Sequence, residues 1–255
     1  MYLTVKDLTI YYEKYGNGKN IILILPGWGN TRETFRYIID YFKDKYTIYI
    51  IDYPGLGKSP IPTKTLNIYN YTELINEFTK LKNITNPIII AHSFGGRIAS
   101  TLSSIYNYKI DKLILIDVAG IKPKKTIKKY LKEKTYKLKK KLIKLLPKQK
   151  QSIYKQKLFQ KYASSDYLLL PPTMRETFKN IINEDLTKHF KEIKTETLLI
   201  WGENDQDTPL KDAIKINKLI KDSALITLKN ASHYSYLQYP ILVNKIIYEF
   251  IKKDQ

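Results

Sequence analysis

Pro87-Ile88-Ile89-Ile90-Ala91-His92-Ser93-Phe94-Gly95-Gly96-Arg97 carries the reading of the whole chain. A short apolar run stops at a serine flanked by small residues, the pattern of a buried strand, a tight turn and the start of a helix with Ser93 at the apex. Such a turn strains the backbone of its apex residue, so the residues two before and two after it must be small for the chain to pass itself. Ala91 and Gly95 meet that demand. The geometry lifts the serine hydroxyl clear of the sheet and turns the Phe94 amide toward whatever that hydroxyl attacks. A serine in a glycine-containing turn can also be only a turn residue or a helix cap, so the rest of the sequence has to decide.

On both sides of this stretch, strand patterns alternate with helix patterns. Residues 2–13 alternate apolar and polar side chains ahead of Gly16-Asn17-Gly18 and predict an antiparallel pair. Continuous apolar runs at 21–25, 46–51, 112–117 and 197–201 predict strands buried on both faces. Helical spacing of Phe35, Ile38, Ile39 and Phe42, and of Tyr71, Leu74, Ile75, Phe78 and Leu81, predicts the helices between them. A helix near 210–220, a strand at 224–228 and a last helix over about 240–252 complete the order. The alternation predicts an α/β fold with a mostly parallel, doubly wound sheet. It is interrupted over 121–190 by helical patterns alone, which divides the chain into a core of 1–120 and 191–255 and a helical insertion of 121–190, read as a lid.

A serine nucleophile needs a base within hydrogen-bond reach and an acid to orient that base. The chain has three histidines. His92 adjoins the serine and is expected to point to the other side of the turn, and His189 falls in the insertion. His233 lies in a loop after the last strand, at the end of the sheet where parallel strands place functional groups. The acid should come from a similar loop, and Asp117, Asp205 and Asp207 all qualify by position.

Four segments resemble those of the α/β-hydrolase family. Ala91-His92-Ser93-Phe94-Gly95 resembles its Gly-x-Ser-x-Gly nucleophile elbow, with alanine for the first glycine. Gly202-Glu203-Asn204-Asp205, with Pro209 four residues on, resembles the family's acid loop and selects Asp205. Pro26-Gly27-Trp28-Gly29 resembles the His-Gly-x-Gly oxyanion segment with proline in the histidine's place, which implies that the amides of Trp28 and Phe94 form the oxyanion hole. Asp52-Tyr53-Pro54-Gly55-Leu56-Gly57-Lys58-Ser59 resembles a structural loop of the same family. The family's chain order of serine, acid and histidine is reproduced by Ser93, Asp205 and His233. The resemblance covers the whole chain apart from the insertion. It implies a serine hydrolase of esters, thioesters or related acyl bonds of a small, lipophilic substrate. The same triad could also serve C–C bond hydrolysis, acyl transfer or lyase chemistry. A haloalkane dehalogenase would need an aspartate at position 93.

Composition limits the alternatives. The chain has 255 residues and no cysteine, which excludes a thiol nucleophile, a disulfide framework and thiolate metal sites. No metal cluster or phosphate-binding glycine loop is visible, and no cofactor or metal is expected. The start lacks the pattern of a secretory signal and no apolar run is long enough to span a bilayer, so a soluble cytoplasmic protein is expected. Of the net charge of +20, residues 121–161 supply +16, from 17 lysines and one acid, Glu133. Arginine is absent from that segment and no recognition motif accompanies it, so a nucleic-acid partner is not expected. Within it, Ile127, Leu131, Leu138, Leu142 and Leu145 share one helical face, expected to pack over the active-site mouth, with Lys128, Lys129, Lys132, Lys139, Lys140 and Lys141 turned outward. A solvated lysine face, raised by an AT-rich codon bias, is the preferred account; its rival is contact with an anionic membrane or capture of an acidic acyl donor, and the alternative to an enzyme is a non-catalytic binding protein for an anionic partner. The oligomeric state is not legible.

Overall fold

The computed structural model describes residues 1–122, 127–162 and 170–252. The chain divides into two compact units, residues 1–122 with 177–255, and residues 123–176. The segment read as an insertion over 121–190 therefore has its last part, from Thr177 on, in the first unit.

The first unit is built on one eight-stranded sheet in the order β1-β2-β4-β3-β5-β6-β7-β8. β1 (Tyr2–Val5) and β2 (Leu8–Tyr15) form an antiparallel hairpin, and β2 runs antiparallel to β4 (Tyr46–Asp52). From there β3 (Asn20–Leu25), β5 (Ile88–His92), β6 (Leu113–Ile116), β7 (Thr197–Gly202) and β8 (Ser223–Leu228) all pair in parallel. The central strands read as unbroken isoleucine and leucine because helices cover both of their faces. Ile22, Leu23, Ile24 and Leu25 are all at 0 % exposure. Burying one such side chain is worth about 1.5–3 kcal/mol.

On one face, α1 (Arg32–Phe42) and α10 (Pro240–Ile251) set Phe35, Ile38, Phe42, Val243 and Ile247 against the sheet. On the other, α2 (Ile68–Leu81) and α3 (Phe94–Tyr106) pack together and bury Tyr71, Leu74, Phe78, Ile98 and Leu102. α2 starts where Asn67 and Asn70 cap each other's amides, a reciprocal capping box. The second unit holds α4 (Ile127–Ile143) and α5 (Lys148–Tyr162). α6 (Pro172–Asn183) and α7 (Thr187–Glu192) follow, and α8 (Leu210–Leu219) and the short α9 (Ser235–Gln238) complete the helices. Among the described residues, no helix is long and apolar enough to cross a membrane.

Two loops at the carboxyl ends of the strands owe their shape to glycines. In the loop after β4, a Cβ at Gly57 would lie 2.2 Å from Asp52 Oδ2. That carboxylate instead accepts the Lys58 amide at 2.8 Å, while the Ser59 hydroxyl donates to the Asp52 carbonyl at 2.6 Å. The loop is thus locked by its own side chains. At the turn from β5 into α3, a Cβ on Gly95 would lie 1.9 Å from the carbonyl oxygen of Leu25 at the end of β3, and one on Gly96 would lie 2.3 Å from Val118 Cγ1. Ala91, inside β5, meets no such limit: it is fully buried and pairs in register with Leu25.

This asymmetry is testable by urea unfolding. Ala91→Gly should cost only about 0.5–1 kcal/mol, the usual price of a glycine within a strand. Gly95→Ala forces backbone against backbone and should cost at least ~3 kcal/mol. Equal midpoints for the two variants would mean that the elbow does not press on the end of β3.

Candidate active site

The turn after β5 holds Ser93 at φ 47° and ψ −109°, where residues other than glycine are rarely found. Three backbone bonds keep it there. The Ser93 amide donates to the Ile116 carbonyl at 3.1 Å, and the Ser93 carbonyl accepts from the amides of Gly96 at 3.1 Å and Ala119 at 3.2 Å. The elbow is therefore tied to the end of β6 as well as to its own helix.

The loop after β8 brings His233 to the serine. His233 Nε2 lies 2.9 Å from Ser93 Oγ, and its Nδ1 lies 2.8 Å from Asp205 Oδ2. Since a carboxylate can only accept, Nδ1 carries the proton and Nε2 is left as the acceptor for the serine hydroxyl. Asp205 is 3 % exposed. Burial, the largest influence on it, works to raise its carboxyl. Hydrogen bonds from His233, the Thr208 hydroxyl at 2.6 Å and the Thr208 amide at 2.9 Å together hold it below its ordinary value. His233 shows the converse: burial pulls it down, but the bond to Asp205 and the charges of Asp205, Asp117 and Asp207 outweigh that and raise it above its ordinary 6.5.

The rival acids are placed elsewhere. Asp117, fully buried at the end of β6, accepts from the Gly202 amide at 2.8 Å and from the amide and hydroxyl of Ser235 at 3.1 and 2.6 Å. Burial pushes it up to about 7 in spite of those donors. It pins the end of β7 and the residues after His233, so it shapes the base loop without bonding the imidazole. Asp207 is exposed, and its amide donates to Asp205 Oδ1 at 2.8 Å. Asp205, Asp207 and His233 offer ligand atoms within 4.8 Å of one another, but the Asp205 oxygens and His233 Nδ1 are already committed to one another and to Thr208. His189 is remote from this group, with Nδ1 2.5 Å from Ser104 Oγ.

His92 was the residue the sequence undervalued. Its Nε2 lies 2.8 Å from the backbone carbonyl of His233, and its Nδ1 lies 3.1 Å from Asn30 Nδ2. A carbonyl must receive a proton, so Nε2–H donates to it and the Asn30 amide donates to Nδ1. Burial, seconded by His233, pushes His92 down to about 3, so this bridging ring stays neutral. A Cβ on Gly27 would lie 2.6 Å from His92 Nδ1, which explains the glycine there. One buried imidazole thus connects the loop after β3 with the loop that carries His233. The only sequence signal was a histidine next to the serine, and adjacency alone does not show what its ring meets.

The same β3 loop lies beside the elbow. The Trp28 and Phe94 rings meet edge to face at 5.4 Å, and Phe178 meets Trp28 at 5.1 Å. Tyr53 and Tyr71 close on Phe94 at 5.2 and 5.3 Å. Phe94 opens α3, so its amide has no acceptor within the helix. Aromatic rings thus pack around Trp28 and Phe94. Arg97, one turn further along, is 5 % exposed and donates to the carbonyls of Ile181 and Glu184 at 2.9 and 3.0 Å, fastening the end of α6 to α3.

A family model described as the alpha/beta hydrolase fold matches residues 20–240. The chain is 28 % identical to a pimeloyl-acyl-carrier-protein methyl ester esterase of Wigglesworthia glossinidia brevipalpis, over 95 % of this chain and 98 % of that one. It is 23 % identical to a 2-hydroxy-6-oxononadienedioate/2-hydroxy-6-oxononatrienedioate hydrolase of Pseudomonas putida, over 96 % of this chain and 92 % of that one. Among solved structures, an esterase from Exiguobacterium antarcticum superposes with a TM-score of 0.77 at 22 % identity, covering 99 % of both chains.

The His92 bridge can be tested with two substitutions. In His92→Gln the side-chain amide can still donate to the His233 carbonyl, and turnover of an activated ester should stay within about tenfold of the parent. His92→Phe leaves that carbonyl without its donor and the Asn30 amide with only the Tyr236 hydroxyl, at 3.4 Å, as acceptor, and should lower kcat by about a hundredfold at little change in KM, the scale of a small misplacement of a reacting group. Equal turnover in the two variants would take His92 out of the positioning of the base.

Proposed function

The chain belongs to the α/β-hydrolase fold family, and we propose that within it this protein is a serine hydrolase of esters, thioesters or related acyl bonds of small, lipophilic substrates. One observation carries the reading. Ser93 Oγ, the two nitrogens of His233 and Asp205 Oδ2 form an unbroken hydrogen-bonded line, with steps of 2.9 and 2.8 Å, on a serine already held at a strained elbow.

In the reaction we propose, Ser93 Oγ attacks the acyl carbonyl carbon as its proton passes to His233 Nε2. Asp205 stabilises the imidazolium that results. The carbonyl electrons move onto oxygen, where the Phe94 and Trp28 amides serve as donors, each worth about 3–4 kcal/mol in such sites. Collapse of this intermediate breaks the bond to the leaving group, which takes the proton from His233 and departs as an alcohol or thiol. A water molecule, deprotonated by the same imidazole, then attacks the acyl-serine, and the second collapse releases the acid and restores the Ser93 hydroxyl. The half-buried rings of Trp28 and Phe178, which meet at 5.1 Å, favour a lipophilic acyl group. Carbon–carbon bond hydrolysis by the same residues is the second reading, favoured by the likeness to the Pseudomonas putida hydrolase. Product analysis on ester and on β-diketone substrates separates the two.

A fluorophosphonate probe tests the nucleophile. One adduct is expected by intact mass, mapped to Ser93 and abolished in Ser93→Ala; an undiminished adduct in that variant would sink the assignment. Asp205→Asn should lower kcat by about 10⁴-fold, as loss of a triad acid does elsewhere, and the corresponding change at Asp117 should cost less.

The pH profile follows from the raised His233. The imidazole must be neutral to accept the serine proton, so kcat/KM should fall as pH drops, with the midpoint above 6.5. Removing the negative charge in Asp205→Asn should move that midpoint to lower pH in the residual activity. A midpoint that stays in place would mean that the titrating group is not His233.

A further inference from the structure

The second unit contains an apolar stripe that faces outward. α4 and α5 pack on each other. Among the described side chains of α4, Ile143, 7 % exposed, and the half-buried Tyr136 sit seven residues apart on one face. Leu131, Leu138 and Leu142 sit on another, spaced by seven and four residues, and are 54, 59 and 53 % exposed. Leu145, just beyond the helix, is 81 % exposed. Among the described side chains, the leucines that the sequence marked as a packing face are thus exposed, and Tyr136 and Ile143 are the less exposed pair. The side chains of Ile127, Lys128, Lys129 and Lys132, placed on the same helix by that reading, lie outside the described residues. α5 adds Ile153 and Tyr154, at 54 and 49 % exposure.

Charge flanks the stripe. Lys134 and Lys141 follow Leu131 and Leu138 by three residues, which makes them surface neighbours of the leucines. Lys137, Lys139, Lys140 and Lys144 are also exposed, and no acid occurs from 134 to 161. Codon bias accounts for lysines on a solvated surface. It does not account for three leucines kept at helical spacing on the exposed side of the same helix. A partner that matches both features must be apolar and negative across an extended plane.

We propose that this face of α4 docks on an anionic lipid bilayer, with the helix lying in the plane of the interface. Its leucines enter the acyl boundary and its lysines meet the headgroups, as in basic amphipathic helices that lie on membranes. Each lysine that reaches the surface is worth about fivefold in partition at low salt. Screening over about 8 Å at physiological ionic strength reduces that part. The docking is independent of the catalytic reading, since it uses no residue of the active site.

Sedimentation with vesicles of phosphatidylcholine alone, and of equal parts phosphatidylcholine and phosphatidylglycerol, measures it on the full chain carrying Ser93→Ala. Binding to the mixed vesicles should exceed binding to the neutral ones by more than about tenfold at low salt and weaken as salt rises. Leu138→Asn with Leu142→Asn should lower it by about tenfold or more; made in the parent enzyme, the same pair should leave turnover of a soluble ester unchanged. Because the chain has no cysteine, Leu142→Cys can carry a single environment-sensitive fluorophore. Its emission should shift to the blue with mixed vesicles and not with soluble polyglutamate. Mixed vesicles that bind no better than neutral ones at low salt would overturn the proposal. So would binding indifferent to the leucine changes, or an equal shift with polyglutamate, either of which would point to an acidic macromolecule instead.

Discussion

The backbone of Ser93 is the constraint on which the candidate active site depends. A non-glycine residue at φ 47° and ψ −109° stores roughly 1–3 kcal/mol of strain and persists only where its surroundings over-determine it. Here they do: β6 supplies an acceptor at Ile116, the segment after it supplies a donor at Ala119, and α3 returns a third bond through Gly96. The absence of a side chain at Gly95 lets the helix start against the Leu25 carbonyl. The elbow can therefore be strained because three parallel strands end side by side at it, and those strands are held in register by a core with no exposed residue at its centre.

A second layer of the same design settles which charges can exist there. Three aspartates influence His233, yet only Asp205 bonds it, and the hydrogen bonds on Asp205 keep it ionised despite burial. Asp117, more deeply enclosed, is driven up to about 7 and spends its acceptors on the backbone of β7 and on Ser235. His92 is enclosed as well and is held neutral, so it can act as a rigid donor to the His233 carbonyl without adding a positive charge beside the base. Burial alone would neutralise all of these groups. Both aspartates accept hydrogen bonds; Asp205 differs in that the His233 imidazole is among its donors and in that it is less deeply enclosed than Asp117.

The sequence made the fold legible because both of its signals are local: apolar runs for strands buried on two faces, and helical spacing between them. That Ser93, Asp205 and His233 lie together could be anticipated for a related reason, since each follows a strand and stands in a segment that resembles its counterpart in a large family. The contacts of His92 with Asn30 and the His233 carbonyl were not, because the partners lie 62 and 141 residues away and a carbonyl oxygen has no residue type to recognise. Arg97 is similar, with two backbone carbonyls on α6 and just beyond it as its partners. The stripe on α4 shows a different limit. Periodicity identifies which residues share a face, but a helix with apolar residues on two faces does not say which one turns inward. Here Tyr136 and Ile143 are less exposed than the longer row of leucines.

That outcome bears on how the lysines should be understood. If composition were shaped only by base content, isoleucine and lysine would be scattered with no regard to exposure. In the first unit they are not: isoleucines fill the sheet, while Lys6, Lys43, Lys64, Lys80 and Lys112 are paired with acids. In α4 and α5 lysines accumulate without any acid from 134 to 161, so each added charge repels those already there and raises the free energy of the isolated unit. Helices carrying that repulsion and an open leucine row as well are of higher free energy in water than they would be against a surface that neutralises the one and covers the other. Both terms favour the same class of surface, and a codon-bias account removes only the first.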